Sequence, residues 1–254
     1  MVLVSGGSGY IGSNIVRKLA ARGRPVRVMV HNRARAEREG RLRGLPVEWV
    51  QADITRPETL GPALAGTTAV IHTVAIAVEK GDRTYEQINY QGTVNLVEAA
   101  KAAGVQRFIN LSQLGADASL PYRFLASKGK AQDYVAASGL AWTAFRPSVV
   151  WGPDDEFANT FARLVPLSPL IFPVPGDGRA QFQPVWVEDV AEAHVQALDD
   201  ATTIGQEYEL GGPEVLTLRE IEARTLRALG ARRALVNVPL PLMRQLVGLL
   251  EVLL

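Results

Sequence analysis

The 254-residue chain contains no cysteine. That absence excludes disulfides, thiolate catalysis, iron–sulfur clusters and every cysteine zinc site, and it fits a reducing cytoplasm. Histidine is nearly as scarce. His31, His72 and His194 stand far apart, with no pair at helical spacing, so no catalytic metal is expected. No apolar run reaches the roughly 18 residues that a membrane span needs. No basic leader with an apolar stretch is present, so no secretory signal is expected. Charge of one sign is also lacking: 27 Lys and Arg meet 26 Asp and Glu, a net charge of +1.

That balance hides a local surplus. From Arg17 to Arg43, nine Arg and one Lys face two Glu, leaving −7 for the remainder of the chain. Such a zone suits a small phosphorylated ligand better than a nucleic-acid duplex, so no nucleic-acid partner is expected. A solvated helix face is the alternative reading. With 47% hydrophobic residues the composition is that of an ordinary soluble globular chain. The length allows one large domain or one and a half.

The first half alternates short β-branched runs with helical patterns. Strands are predicted at residues 2–5, 26–30, 47–51, 69–73, 107–112 and 141–146, and helices at 11–22, 85–103 and 125–138. Strand–helix alternation with short connections predicts an α/β fold of Rossmann type, a doubly wound parallel sheet over residues 1–150. Beyond it, Pro166, Pro169, Pro173 and Pro175 crowd a stretch read as a loop-rich insertion. Residues 151–254 read as a smaller lobe interleaved with late sheet elements, including helices at 187–198, 216–229 and 240–254 and a strand at 206–210.

Gly7-Ser8-Gly9-Tyr10-Ile11-Gly12 has the spacing G-x-G-x-x-G, and Gly6 precedes it. One glycine permits a tight strand-to-helix turn, the next lets backbone approach a pyrophosphate, and the last lets the helix pack close to the sheet. The helix N-terminus then offers free N–H groups and partial positive charge to phosphates. The motif follows a predicted strand and opens an amphipathic helix, the context that a dinucleotide site requires. The second strand ends Val30-His31-Asn32-Arg33-Ala34-Arg35, with no acid before Glu37. A carboxylate at this strand end would bond an NAD ribose and repel a 2′-phosphate, whereas Arg33 or Arg35 would attract one. NADP(H) is therefore the expected cofactor, with NAD(H) the alternative.

Further segments follow in order: Gln51-Ala52-Asp53, Val70-Ile71-His72-Thr73-Val74-Ala75, Ile88-Asn89-Tyr90-Gln91-Gly92-Thr93 and Asn110-Leu111-Ser112. Ser127-Lys128, Arg146-Pro147-Ser148-Val149-Val150-Trp151-Gly152-Pro153 and Val187-Glu188-Asp189-Val190-Ala191 complete the set. With the glycine turn they make the chain, up to about Gly212, resemble the short-chain dehydrogenase/reductase superfamily in its extended, atypical branch. The subgroup holding the nucleotide-binding accessory subunit of respiratory complex I is the most similar, with NmrA-like proteins nearby. The resemblance implies that Asp53 and Ile54 contact adenine and that Thr73, Val74 and Ala75 line the adenosine ribose. It places Asn89 in the cofactor-binding set and Pro147, Val149 and Val150 against the nicotinamide. Asp53 capping a turn, Pro147 ending a strand and His72 sitting at the core edge are the plain structural alternatives.

The superfamily's catalytic set is Ser, Tyr and Lys, the Tyr four residues before the Lys. The ammonium lowers the phenol's pKa, and the shared helix face brings the two together. Ser112 and Lys128 stand at matching places, but Phe124 occupies the tyrosine position and has no proton to give. Tyr122 could replace it only by preceding the helix and turning inward. Lys128 has two further readings, a ribose-binding lysine without acid–base work or an exposed surface residue.

Phe157, Phe161, Leu164, Leu167, Leu170, Ile171 and Phe172 would wall an apolar substrate cleft or simply form a core. The stretch 242–254 has a narrow polar stripe of Arg244, Gln245, Gly248 and Glu251. Its apolar remainder needs its own core, a second subunit or protein partner, or a membrane surface, in that order. Two functions stand together: an NADP(H)-dependent oxidoreductase acting on an apolar carbonyl or conjugated double bond, and a non-catalytic protein holding NADP(H) as a structural or sensing ligand.

Overall fold

The computed structural model describes residues 1–167 and 170–243. The chain divides into two compact units, Met1–Pro147 with Val187–Leu210, and Ser148–Trp186 with Gly211–Leu254.

The first unit is built on seven parallel strands. These are β1 (Val2–Ser5), β2 (Val26–Val30), β3 (Glu48–Gln51), β4 (Ala69–His72), β5 (Arg107–Leu111), β6 (Ala141–Pro147) and the edge strand Gln206–Leu210. Their spatial order is the edge strand, β6, β5, β4, β1, β2, β3. Each neighbour is parallel. The order reverses between β1 and β4, the position where doubly wound sheets bind ligands.

Period-two geometry sends alternate side chains to opposite faces, so a sheet covered on both sides needs continuous apolar strands. Val2 and Val4 join one core with Ile15, Val16 and Leu19 of α1 (Tyr10–Ala21). Leu3 joins the opposite core with Leu60 and Leu64 of α3 (Leu60–Leu64) and Leu96 and Val97 of α4 (Gly92–Ala102). Between them in sequence, α2 (Arg33–Glu39) follows β2, and α5 (Arg123–Ala137) follows β5.

The predicted helix over 85–103 is two pieces. Glu86–Gln91 forms a π-helical turn, and α4 continues from Gly92. A Cβ on Gly92 would lie 2.5 Å from Cδ1 of Ile54, so glycine lets the helix approach the loop after β3. Helix α2 is not announced by the sequence pattern, which shows charge and little apolar periodicity there.

Among its described residues the second unit holds three strand pairs and the helices Ala158–Leu164 and Leu218–Ala228. Thr217 and Glu220 cap the latter reciprocally. The proline-rich stretch is not all loop. Ile171–Pro175 forms a strand, parallel to Ala234–Val238. A strand in an isolated pair has ladder positions where no N–H is needed, which is where proline fits. The expected helix at 240–254 lies, from residue 244 on, outside the described residues. Among the described residues no helix is long and apolar enough to cross a membrane.

Candidate functional site

β1 runs into the glycine turn at Ser5. Gly6 has φ +73°, and a Cβ there would lie 2.8 Å from Thr73 Oγ1. On Gly7 a Cβ would meet Val28 Cγ1 at 2.9 Å. On Gly12 it would fall 2.3 Å from the carbonyl oxygen of Gly6. Three tight approaches therefore demand three glycines. α1 opens at Gly9 with no side-chain cap and no acid in its first turn. Its leading N–H groups and positive dipole end suit an anionic group.

This turn borders a cleft of about 800 Å³ in the first unit. Of the expected cofactor residues, Gly6, Ser8, Gly9, His31, Asp53, Ile54, Thr73, Val74 and Ala75 line it. His31 Nδ1 lies 3.2 Å from Asp53 Oδ2. Burial pushes the Asp53 carboxyl up, but hydrogen bonds from Thr55 and the charges of His31 and Arg56 hold it below its ordinary value. Asp53 Oδ1 accepts from both the N–H and the hydroxyl of Thr55 at 2.8 Å. The same side chain thus lines the cleft and caps the turn.

Other expected residues lie elsewhere. Tyr10 and Ile11 begin α1, and Ile11 packs against the core. Asn32 caps α2, accepting from the N–H of Arg35 at 2.9 Å. Arg33 and Arg35 are paired along that helix with Glu37 and Glu39, each at 2.8 Å. Neither is among the cleft's lining residues, because i,i+4 carboxylates on the same helix hold both guanidiniums. Much of the basic zone is similarly matched: Lys18 with Glu188, Arg22 with Glu192, Arg24 with Asp199 and Arg27 with Glu48. Asn89 is buried and bonds both backbone groups of Ile76, at 2.8 and 3.1 Å, and Ser127 Oγ at 3.3 Å. These bonds tie the loop after β4 to α5. Pro147 is buried, and its carbonyl accepts from Leu114 N–H at 3.0 Å. Val149 and Val150 belong to the second unit, joined there to the strand at Val185.

The cleft also gathers residues not expected from the sequence, among them Asp82, Arg83, Gln87, Gln91 and Asn95. Gln91 Nε2 donates to Asn95 Oδ1 at 2.9 Å, and Asn95 Nδ2 donates to the Ile54 carbonyl at 2.8 Å. A signal existed: three amides at steps of four form a polar helix stripe.

Ser112 follows β5 directly and is buried, with no partner for its hydroxyl among the described residues. Lys128 on α5 is buried, and its Nζ donates to the Leu111 carbonyl at 2.7 Å. Burial lowers its pKa to about 8. The surface-lysine reading is therefore wrong. Phe124 packs edge-on against Tyr85, with ring centroids 5.6 Å apart. Tyr122 sits at the N-cap of α5 and is 66% exposed. It precedes the helix as required, yet its side chain stays in solvent, so this structure gives it no inward catalytic position. His72 is a core residue. It shares hydrogen bonds with Ser5 Oγ at 2.7 Å and Thr93 Oγ1 at 2.9 Å. Burial and the Lys128 charge push its pKa down to about 3, so it is neutral.

In the second unit the expected aromatic wall splits. Phe161, Leu164 and Phe172 pack into its core, with Phe157 against Phe161 and Phe182. Leu167, Leu170 and Ile171 are exposed.

A family profile described as NAD(P)H-binding matches residues 6–201. One similar protein is subunit 9 of the NADH dehydrogenase (ubiquinone) 1 alpha subcomplex, mitochondrial, from Arabidopsis thaliana. It is 32% identical over 225 residues, covering 86% of this chain and 55% of that protein. The chain thus spans about half the length of that relative. A 2-alkyl-3-oxoalkanoate reductase of Stenotrophomonas maltophilia is 30% identical over 260 residues, 91% of this chain and 76% of that one. Among solved structures, the UDP-glucose 4-epimerase of Thermus thermophilus in complex with NAD superposes with a TM-score of 0.77. It is 28% identical over 94% of this chain and 86% of that one.

Proposed function

Because the chain belongs to the NAD(P)H-binding family, we propose that it is an NADP(H)-dependent oxidoreductase of the short-chain dehydrogenase/reductase type, acting on an apolar carbonyl or conjugated double bond. The observation that carries this reading is the buried pair of Ser112 and Lys128 on the two elements that the superfamily uses for catalysis, the end of β5 and the middle of α5. The name of the oxoalkanoate reductase supports an apolar ketone as substrate.

The residues present fit a nicotinamide dinucleotide. Gly6 and Gly9 line the cleft, Gly7 and Gly12 let the turn pack where a Cβ would meet Val28 and the Gly6 carbonyl, and the uncapped α1 terminus would receive the phosphates. Asp53, Ile54, Thr73, Val74 and Ala75 would hold the adenosine half, and Pro147 would lie against the nicotinamide half. With no carboxylate at the end of β2, Arg33 or Arg35, once released from Glu37 or Glu39, would take a 2′-phosphate beside His31, which favours NADP(H). When bound, such a dinucleotide would supply the hydride for the substrate carbon. The Ser112 hydroxyl would donate a hydrogen bond to the substrate oxygen as it gains charge. With Tyr122 in solvent, that oxygen's proton comes from the Lys128 ammonium, which is then recharged from water. A pKa of about 8 suits that exchange near neutral pH.

Phe124 favours a second reading, a protein that holds NADP(H) without turnover and serves as an accessory subunit or sensor. We place either form in the cytoplasm, without a nucleic-acid partner and as a candidate homo-oligomer. Consumption of NADPH across quinones, enones and aldehydes tests the choice. Turnover on any apolar member supports the enzyme. Tight cofactor retention with total inactivity supports the second reading and removes the first.

A further inference from the structure

The loop after β4 contributes to the first unit's cleft twice. Thr73, Val74 and Ala75 line it where the loop begins, and Asp82 and Arg83 line it again further along. That second stretch is a closed turn. Lys80 and Arg83 exchange backbone hydrogen bonds at 3.2 and 3.1 Å around Gly81, whose φ of +61° suits glycine. Glu79 braces the loop: its Oε1 accepts from the N–H of Tyr85 at 2.8 Å, and its carboxylate pairs with Arg123 of α5 at 2.8 Å. The Tyr85 hydroxyl donates to the Ala77 carbonyl at 2.8 Å. The backbone that carries Arg83 is therefore held in place before any ligand arrives.

Arg83 is the one lysine or arginine among the residues lining the cleft. It is exposed, and among the described residues no carboxylate lies within salt-bridge distance of it. The neighbouring glutamates are already taken, Glu79 by Arg123 and Glu86 by Lys130. Asp82, next to it in the chain, lines the cleft without pairing to it. Arg33 and Arg35, by contrast, would have to leave Glu37 and Glu39 before meeting a ligand. A dinucleotide brings its phosphate charges into a cleft that also holds the carboxylates of Asp53 and Asp82. A cation on the cleft wall offsets that repulsion at short range.

Resting on the dinucleotide reading above, we propose that Arg83 is a phosphate ligand of this cleft, its guanidinium pairing with a phosphate of the bound nicotinamide dinucleotide. The planar fork of a guanidinium matches phosphate oxygens two at a time. No ion pair has to break first, and the braced turn leaves little backbone to order on binding.

Titration of the full chain and of Arg83→Gln with NADPH and with NADH tests this. Arg83→Gln should weaken NADPH binding about tenfold or more, and Arg83→Lys should restore part of the loss. The melting temperature without cofactor should stay unchanged, since the guanidinium holds no ion pair in the fold. The native affinity should also fall more steeply with added salt than that of Arg83→Gln. An equal loss for NADH supports the proposal and puts the guanidinium on the pyrophosphate, while a loss confined to NADPH supports it and puts the guanidinium on the 2′-phosphate. Unchanged affinity of Arg83→Gln for both cofactors overturns the proposal and leaves the dinucleotide reading intact. Binding of neither cofactor by the native chain removes that reading and the proposal with it.

Discussion

The ammonium of Lys128 donates to the carbonyl oxygen of Leu111 at 2.7 Å, joining the middle of α5 to the end of β5 immediately before Ser112. A buried cation with one neutral acceptor is costly, and its lowered pKa is the measure of that cost. The unfolded chain keeps this proton up to about pH 10.5, while the folded chain releases it near 8. Stability therefore rises with pH across that window. Lys128→Met should flatten this rise and stabilise the protein at pH 7 by about 2 kcal/mol, while reducing any reductase rate by about a hundredfold or more. Urea unfolding and turnover across pH check the two halves separately.

Phe124 stands four residues before Lys128 on the same helix and meets Tyr85 edge-on. Phe124→Tyr adds a phenol at the position from which the superfamily donates its proton. Reductase activity should increase about tenfold or more, as expected for an added general acid. Steady-state rates for both proteins on one enone or aldehyde check it. An unchanged rate would mean that this position lies outside the reacting geometry.

Gly12→Ala places a Cβ 2.3 Å from the Gly6 carbonyl oxygen, a backbone atom fixed by the hydrogen bond from Gly9 N–H. The turn must shift. Destabilisation of about 1–3 kcal/mol and a loss of NADPH affinity beyond tenfold are expected, read by thermal melting and titration.

Glu222 is fully buried in the helix Leu218–Ala228, and neither carboxylate oxygen has a partner among the described residues. Burial pushes its pKa up to about 7, against the opposing charge of Arg219. The folded chain keeps a proton that the unfolded chain loses near 4.5, so stability falls as pH rises through that window and stays low above 7. Glu222→Gln should remove this dependence and stabilise the protein at pH 8 by about 2 kcal/mol. Urea unfolding of both proteins between pH 5 and 8 checks it.

The fold was legible where side-chain period and glycine geometry speak together. Val2, Leu3 and Val4 read as a strand and are buried on its two faces, and Gly12 sits where a Cβ would meet the Gly6 carbonyl. Of the cleft's lining residues, Gly6 was legible in the glycine spacing, whereas Asp53 and Thr73 were singled out only by the family resemblance. What was hidden depends on contacts between distant residues. The four-residue spacing of Arg33 and Glu37 becomes an ion pair only on a helix, and the sequence pattern did not announce α2. Asn89 gave no sign that its amide would be used by Ile76. The strand Ile171–Pro175 was obscured because its prolines read as loop, and only its partner at Ala234–Val238 makes it a strand.

The central claim is that the glycine cradle and the acid-free end of β2 hold NADP(H). Titration with NADPH and NADH, followed by tryptophan quenching and thermal shift, tests it most directly. At 100 times its dissociation constant the ligand should add about 2.7 kcal/mol of stability. NADPH bound more tightly than NADH is the expected result. NADH bound about tenfold more tightly would contradict the 2′-phosphate assignment at Arg33 or Arg35, and binding of neither would contradict the cradle itself.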